Sequence, residues 1–230
     1  MTYGTYDAAA AGQRRLALVY RGPASRPGCP EAVAELLAAT PWNLEVRFTG
    51  PDEALHPTAR NLSDATLYAQ PGGGTLDSAY RTLRRQHRVV RDFVRHGGRY
   101  LGFCLGGYLA GATPGFGLLP GDTDQYIASP GASVHDERDT VVPVTWRGRR
   151  RTVYFQDGPL FELDEDADAT ILATYDNGTV AALATRYGDG RVAVTGPHPE
   201  ATADWYTHHG LPVRHTLDLA EDLVDAVMRE

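Results

Sequence analysis

A doubly wound α/β domain on a mainly parallel sheet, with helices on both faces, is the fold class this sequence predicts, and three observations predict it. Through the first half, short apolar runs alternate with segments of helical period. Each of those runs stops in a glycine- or proline-containing loop. In the second half, β-rich runs separated by turns crowd together, which predicts antiparallel strands added to the parallel ones. With 230 residues, 42% of them hydrophobic, the chain has the apolar material for one core. Residues 14–230 are expected to form a single domain and the alanine-rich residues 1–13 a flexible tail.

The elements follow in order. Residues 16–20 form an apolar strand, the turn-rich stretch 21–30 follows, and 31–39 reads as a helix, completing a first β-loop-α unit. Residues 44–48 alternate as a strand does, and 66–70 form a third strand ending in Pro71-Gly72-Gly73-Gly74. Residues 76–96 read as one long helix closed by Gly97-Gly98, and 99–103 as the next strand. Beyond it lie strands at 141–146, 152–155, 171–175, 180–187 and 191–195, with hairpin turns at Arg147-Gly148 and Gly188-Asp189-Gly190. An amphipathic helix over 217–228 closes the chain.

The segment Gly102-Phe103-Cys104-Leu105-Gly106-Gly107 carries the sharpest chemical signal, because it joins a strand to the helix opened by Tyr108-Leu109-Ala110 with cysteine at the apex. A nucleophile on such an elbow sits in strained backbone, so the positions two before and two after it must be nearly free of side chain; Gly102 and Gly106 meet that demand. The free N–H groups and positive end of the following helix favour a thiolate and equip the site to hold an oxyanion. A cysteine nucleophile also needs a base and a group to orient it. Gly196-Pro197-His198-Pro199-Glu200 supplies both, since residues two apart in an extended segment share a face and Pro199 fixes the backbone between His198 and Glu200. Side-chain-free N–H groups at Gly73 and Gly74, with that of Leu105, complete an oxyanion hole.

Composition excludes several classes. All 22 basic residues are arginine, which removes a Schiff-base lysine and a phosphate-loop lysine. A formal net charge of −7 disfavours nucleic-acid partners. No run approaches the ~20 apolar residues of a membrane span, and residues 1–13 lack the basic start of a secretion signal, so a soluble, cytoplasmic protein is expected. Two cysteines, Cys29 and Cys104, make neither a disulfide framework nor a zinc pattern, and no metal or cofactor is expected.

The order Pro-Gly-Gly, Gly-x-Cys-x-Gly, His-Pro-Glu resembles the class I glutamine amidotransferase-like superfamily with its Cys-His-Glu triad. Within it the chain looks most like the N-terminal domain of eukaryotic-type biotin-protein ligases and their small bacterial relatives. That likeness rests on Pro71-Gly72-Gly73, on the run from Arg99-Tyr100-Leu101-Gly102 through Cys104 to Tyr108-Leu109-Ala110, on Val153-Tyr154-Phe155-Gln156-Asp157-Gly158-Pro159, and on Gly196-Pro197-His198-Pro199-Glu200. The resemblance covers roughly residues 16–200 and implies a flavodoxin-like sheet and a cysteine that attacks an amide, giving a thioester and ammonia or an amine. No ligase domain is expected, so ligation is not implied. Where glutaminases of this class carry a His-Gln pair after the elbow, this chain has Gly107-Tyr108. Gln156 and Asp157 are candidate pocket residues for an amino or amide group, and Tyr108 borders the same place.

The leading expectation is therefore a cysteine hydrolase or amidotransferase-like enzyme acting on a small-molecule carboxamide or related acyl group, with Cys104 as nucleophile, His198 as proton shuttle and Glu200 as its orienting carboxylate. One rival keeps the fold and makes the protein a glutaminase subunit feeding ammonia to a separate synthase. A second makes it a non-catalytic module that holds a small metabolite. Cys29 either faces the same cleft as Cys104 or packs at a helix start. His208, His209 and His215 are placed as rim residues beside His198 rather than as a metal site. Arg81, Arg84, Arg85, Arg88 and Arg95 read as a solvated helix face, and Arg147, Arg149, Arg150 and Arg151 with the acidic loop 162–168 as mutually attracting surface charge or as plain solubility.

Overall fold

The computed structural model describes residues 15–229; the tail expected over 1–13 lies outside the described residues. The chain runs β1 (Arg15–Tyr20), α1 (Cys29–Ala39), β2 (Leu44–Thr49), α2 (Ala59–Ser63), β3 (Leu67–Gln70), α3 (Leu76–Leu83), α4 (His87–Arg95), β4 (Arg99–Phe103) and α5 (Leu105–Ala110). It continues through β5 (Gly121–Gln125), a 3₁₀ turn, β6 (Thr140–Trp146), β7 (Arg149–Phe155), β8 (Pro159–Leu163), β9 (Ala169–Tyr175), β10 (Val180–Tyr187), β11 (Gly190–Thr195), α6 (Ala203–His208) and α7 (Leu217–Met228).

Among the described residues these strands form one mixed sheet in the order β2-β1-β3-β4-β11-β10-β9-β6-β7, with β8 joining β10 and β5 joining β8. Pairing is parallel from β2 through β4 to β11 and antiparallel beyond. The inner parallel strands β1, β3 and β4 are mostly buried on both faces, which is why they read as nearly continuous apolar runs, whereas the edge strand β2 is partly exposed and alternates. Strand alternation divides the core: Ala17 and Val19 of β1 and Leu101 and Phe103 of β4 pack with α1 and α7, whereas Leu18, Tyr20 and Tyr100 pack with α2 to α5 on the opposite face.

The helix expected over 76–96 is two helices, α3 and α4. Ala79 and Leu83 bury one turn of apolar surface and Val90 and Val94 another, but the position between them falls on Gln86 and His87. With no apolar side chain to hold the middle of a continuous helix against the sheet, the chain turns there, and the Gln86 N–H bonds the Leu83 carbonyl. Two of the arginines near the β6–β7 turn find their acids on α7 and not in the 162–168 loop: Arg147 meets Asp222 at 3.0 Å and Arg151 meets Asp218 at 2.6 Å. No helix among the described residues is long and apolar enough to cross a membrane.

Candidate active site

Strands β1 and β3 are sheet neighbours, yet the chain leaves β1 for α1 on one face and leaves β3 for α3 on the other. That divergence opens a crevice at the carboxyl edge of a parallel sheet, where open α/β folds place their ligands. The loop 21–28, the Pro71-Gly72-Gly73-Gly74 loop, the elbow after β4 and the segment 196–200 after β11 all meet there.

The elbow has the geometry that its glycines require. Cys104 stands at φ 48° and ψ −105°, a conformation that side-chain-bearing residues rarely adopt. A Cβ on Gly102 would lie 2.5 Å from the Gly106 carbonyl oxygen, and one on Gly106 would lie 2.0 Å from the Gln70 carbonyl oxygen, so strand and helix pass only because both are bare. The Tyr100 hydroxyl donates to the Gly106 carbonyl at 2.7 Å, and the Cys104 N–H bonds the Thr195 carbonyl at 2.9 Å, fastening the elbow to its own strand and to β11. Among the described residues the N–H groups of Gly73 and Leu105 have no acceptor, as an oxyanion site needs.

His198 follows β11 and is pinned by its N–H to the Tyr154 carbonyl of β7 at 2.8 Å. Its Nδ1 lies 2.8 Å from Glu200 Oε1, and the two side chains are 3% and 5% exposed as residues. The other edge of the ring faces Cys104: a Cβ on Gly72 would fall 2.5 Å from His198 Cε1 and 3.4 Å from Cys104 Cβ, so imidazole and thiol gather over one bare residue. Burial by itself would strip the proton from this imidazole, but the Glu200 carboxylate and then Cys104 outweigh it and push His198 up to about 10. At neutral pH the ring between them is held as an imidazolium.

Two cavities open on either side of this pair. One, of about 610 Å³, is bordered by Cys104, Leu105, Tyr108, Gln125, Glu137 and Asp157. The other, of about 350 Å³, is bordered by His198 with Cys29, Asp139, Tyr154, Trp205 and His209 among its walls. Arg26 and Gln156 border both. The Gln156 carbonyl lies 3.5 Å from Cys104 Sγ, while its side-chain amide donates to the Glu137 carbonyl at 2.8 Å and is thereby committed. In the larger cavity the Tyr108 hydroxyl is buried with no hydrogen-bond partner among the described residues, and Asp157 accepts from Gln125 Nε2 at 3.2 Å. Burial and then the Glu137 charge push the Asp157 carboxyl up to about 6 against that bond.

The structure thus brings together Cys104, His198, Glu200, Gly73, Gly74, Leu105, Tyr108, Gln156 and Asp157. Cys29 lines the His198 cavity, but burial, and after it the Glu200 charge, push its thiol far up, which makes it a neutral, unreactive wall. His208 and His209 rim the same cavity, whereas His215 borders a separate one beyond Glu200. The sequence reading did not single out Arg26, Asp139, Asp204 or Trp205, which come from loops and a short helix far apart in the chain; Tyr154 lay inside a recognised motif but without a role.

Because Asp157 is raised on folding, the stabilisation from its protonated form is full below about 3.8 and is lost as pH climbs through about 6. Asp157→Asn keeps the acceptor for Gln125 and suits the residue's φ of 47°. The variant is expected to melt a little higher than the parent above pH 6 and no higher at pH 4, with the gain kept small by the residue's partial exposure; thermal melting at the two pH values checks it.

Residues 17–130 match the family model described as biotin-protein ligase, N terminal. The chain is 25% identical over 167 residues to the biotin–protein ligase of Schizosaccharomyces pombe, a match that takes in 62% of this chain and 26% of the ligase. It is 29% identical over 83 residues to the imidazole glycerol phosphate synthase subunit HisH of Trichormus variabilis, over 33% of this chain and 39% of that protein. The chain thus spans well under half the length of these relatives. A solved glutamine amidotransferase superposes with a TM-score of 0.58 at 18% identity, covering 89% of this chain and 98% of its own. In its matched segment and its relatives the chain is similar to the biotin-protein ligase N-terminal family, and its fold is that of a solved glutamine amidotransferase.

Proposed function

We propose that the protein is a cysteine-dependent enzyme of amidotransferase type that opens a carboxamide or related acyl group. The observation that carries this reading is the meeting of Cys104 and His198 over Gly72, with Glu200 bonded to the far nitrogen of the ring. In the reaction proposed, Cys104 Sγ attacks the carbonyl carbon, and the oxygen that gains charge is met by the N–H groups of Gly73 and Leu105. His198 holds the thiol proton and passes it to the departing nitrogen, so that ammonia or an amine leaves and an acyl thioester stays on Cys104. A second nucleophile, deprotonated by His198, releases the acyl group and restores the thiol.

In this reading the acyl group lies in the cavity of Tyr108, Gln125 and Asp157. The unpartnered Tyr108 hydroxyl and the carboxylates of Asp157 and Glu137 favour an acyl group with a hydrogen-bond acceptor and an amino group. Ammonia release from a panel of carboxamides, glutamine included, tests the reading: turnover with at least one amide that Cys104→Ala abolishes is expected, and release unaffected by that variant refutes it.

The likeness to a synthase subunit, HisH, favours a second reading in which ammonia is handed to a separate synthase. Glutamine hydrolysis that appears only when a synthase is added would favour it.

A further inference from the structure

The cavity on the far side of His198 is larger than a hydrolase requires. A water molecule takes about 30 Å³ of liquid volume, whereas this space measures about 350 Å³, within the range of small-molecule sites. It is also on the side where a second nucleophile must arrive, because the general base borders it while the sulfur and Leu105 border the other cavity.

Its walls define a ligand class. The Trp205 ring packs edge-on against Tyr154 at 5.4 Å and against the His198 ring at 5.3 Å, and Tyr154 meets His209 at 6.4 Å. Two carboxylates border the space: Asp139, which accepts from the Tyr154 hydroxyl at 2.5 Å and lies 3.5 Å from His209 Nδ1, and Asp204, which has no ion-pair partner among the described residues. Aromatic walls with acidic neighbours attract an organic ammonium. Two cations oppose it: Arg26, on the rim common to both cavities, and the His198 imidazolium, which in the proposed reaction has given its proton to the departing nitrogen before the amine docks.

We infer that this cavity is an acceptor subsite for a primary amine on an aromatic body, and that the enzyme transfers its acyl group to that amine in preference to water. The inference rests on the acyl-enzyme reading above. The amine sheds its extra proton to solvent on docking beside His198. Its nitrogen attacks the thioester carbon, a C–N bond forms, the C–S bond breaks and the sulfur leaves with the bonding pair. The proton lost by the nitrogen goes to His198, which restores the starting pair and frees an N-substituted amide.

The test uses the full chain and p-nitrophenyl acetate to load an acetyl group on Cys104, followed by intact mass. Loss of the acetyl mass is then timed against rising tryptamine or methylamine, with the N-acetyl product assayed. Deacylation that saturates with tryptamine and rises only linearly with methylamine is expected. In Trp205→Ala and Asp204→Asn the tryptamine concentration that half-saturates deacylation of the acetyl-enzyme is expected to rise at least fivefold. Linear dependence on tryptamine, or saturation that both variants leave intact, overturns the acceptor subsite and spares the acyl-enzyme. No acetyl adduct on Cys104 overturns both.

Discussion

Glu200→Gln is expected to bring the titration of His198 down from about 10 to the ordinary imidazole value of 6.5 or below, and to lower any Cys104-dependent turnover by about 10²- to 10⁴-fold. Glutamine keeps the size of the carboxylate and an oxygen for the His198 Nδ1 bond but not the charge. With that charge gone, the burial that pulls the imidazolium down is opposed mainly by Cys104. The fold is expected to survive, since Glu200 Oε2 has no hydrogen-bond partner among the described residues to lose and a buried charge is removed. Ring proton shifts of His198 followed by NMR against pH measure the effect, alongside a melting curve. A His198 titration that stays near 10 would show that Glu200 does not hold the proton.

Gly106→Ala is expected to be the most damaging single substitution in the elbow, costing more than about 3 kcal/mol and lowering the melting temperature by roughly 6–12 °C. The new Cβ would stand 2.0 Å from a backbone oxygen, that of Gln70, and that residue cannot give way. Its side chain donates to the Ala24 carbonyl at 2.8 Å and accepts from the Tyr68 hydroxyl at 2.8 Å, which ties the end of β3 to the loop after β1. Gly210→Ala serves as the control: its φ of 67° imposes strain of about 1 kcal/mol, but nothing lies within 4 Å of the added carbon. Equal melting temperatures for the two variants would refute the close-passage account of the elbow.

The parallel half of the fold was legible because its inner strands β1, β3 and β4 are mostly buried on both faces and read as apolar runs, and its edge strand β2 alternates. The strand at 99–103, the strand at 180–187 and the helix at 217–228 have the bounds that the sequence predicts. Strand β5 was not, since Gly-Asp-Thr-Asp-Gln holds no apolar residue and exists by pairing with β8. Strand β8 opens on a proline, and α2 and α6 are 5 and 6 residues long, too short for a helical period to show.

The meeting of the residues proposed to react was legible for a local reason: Cys104 between its glycines and His198 two residues before Glu200 each carry their geometry within a few positions. The cavities were not. Trp205, Asp139 and Arg26 converge only once α6, the loop before β6 and the loop after β1 are folded against one another, and no spacing in the sequence records that.

The central claim is that His198 governs the reactivity of Cys104, and the rate of iodoacetamide alkylation against pH, followed by intact mass with Cys29→Ala as background, tests it most directly. The account predicts rapid labelling of Cys104 at pH 7 that falls at least tenfold in His198→Ala, with a changed pH profile. A rate and profile that His198→Ala leaves untouched would contradict it.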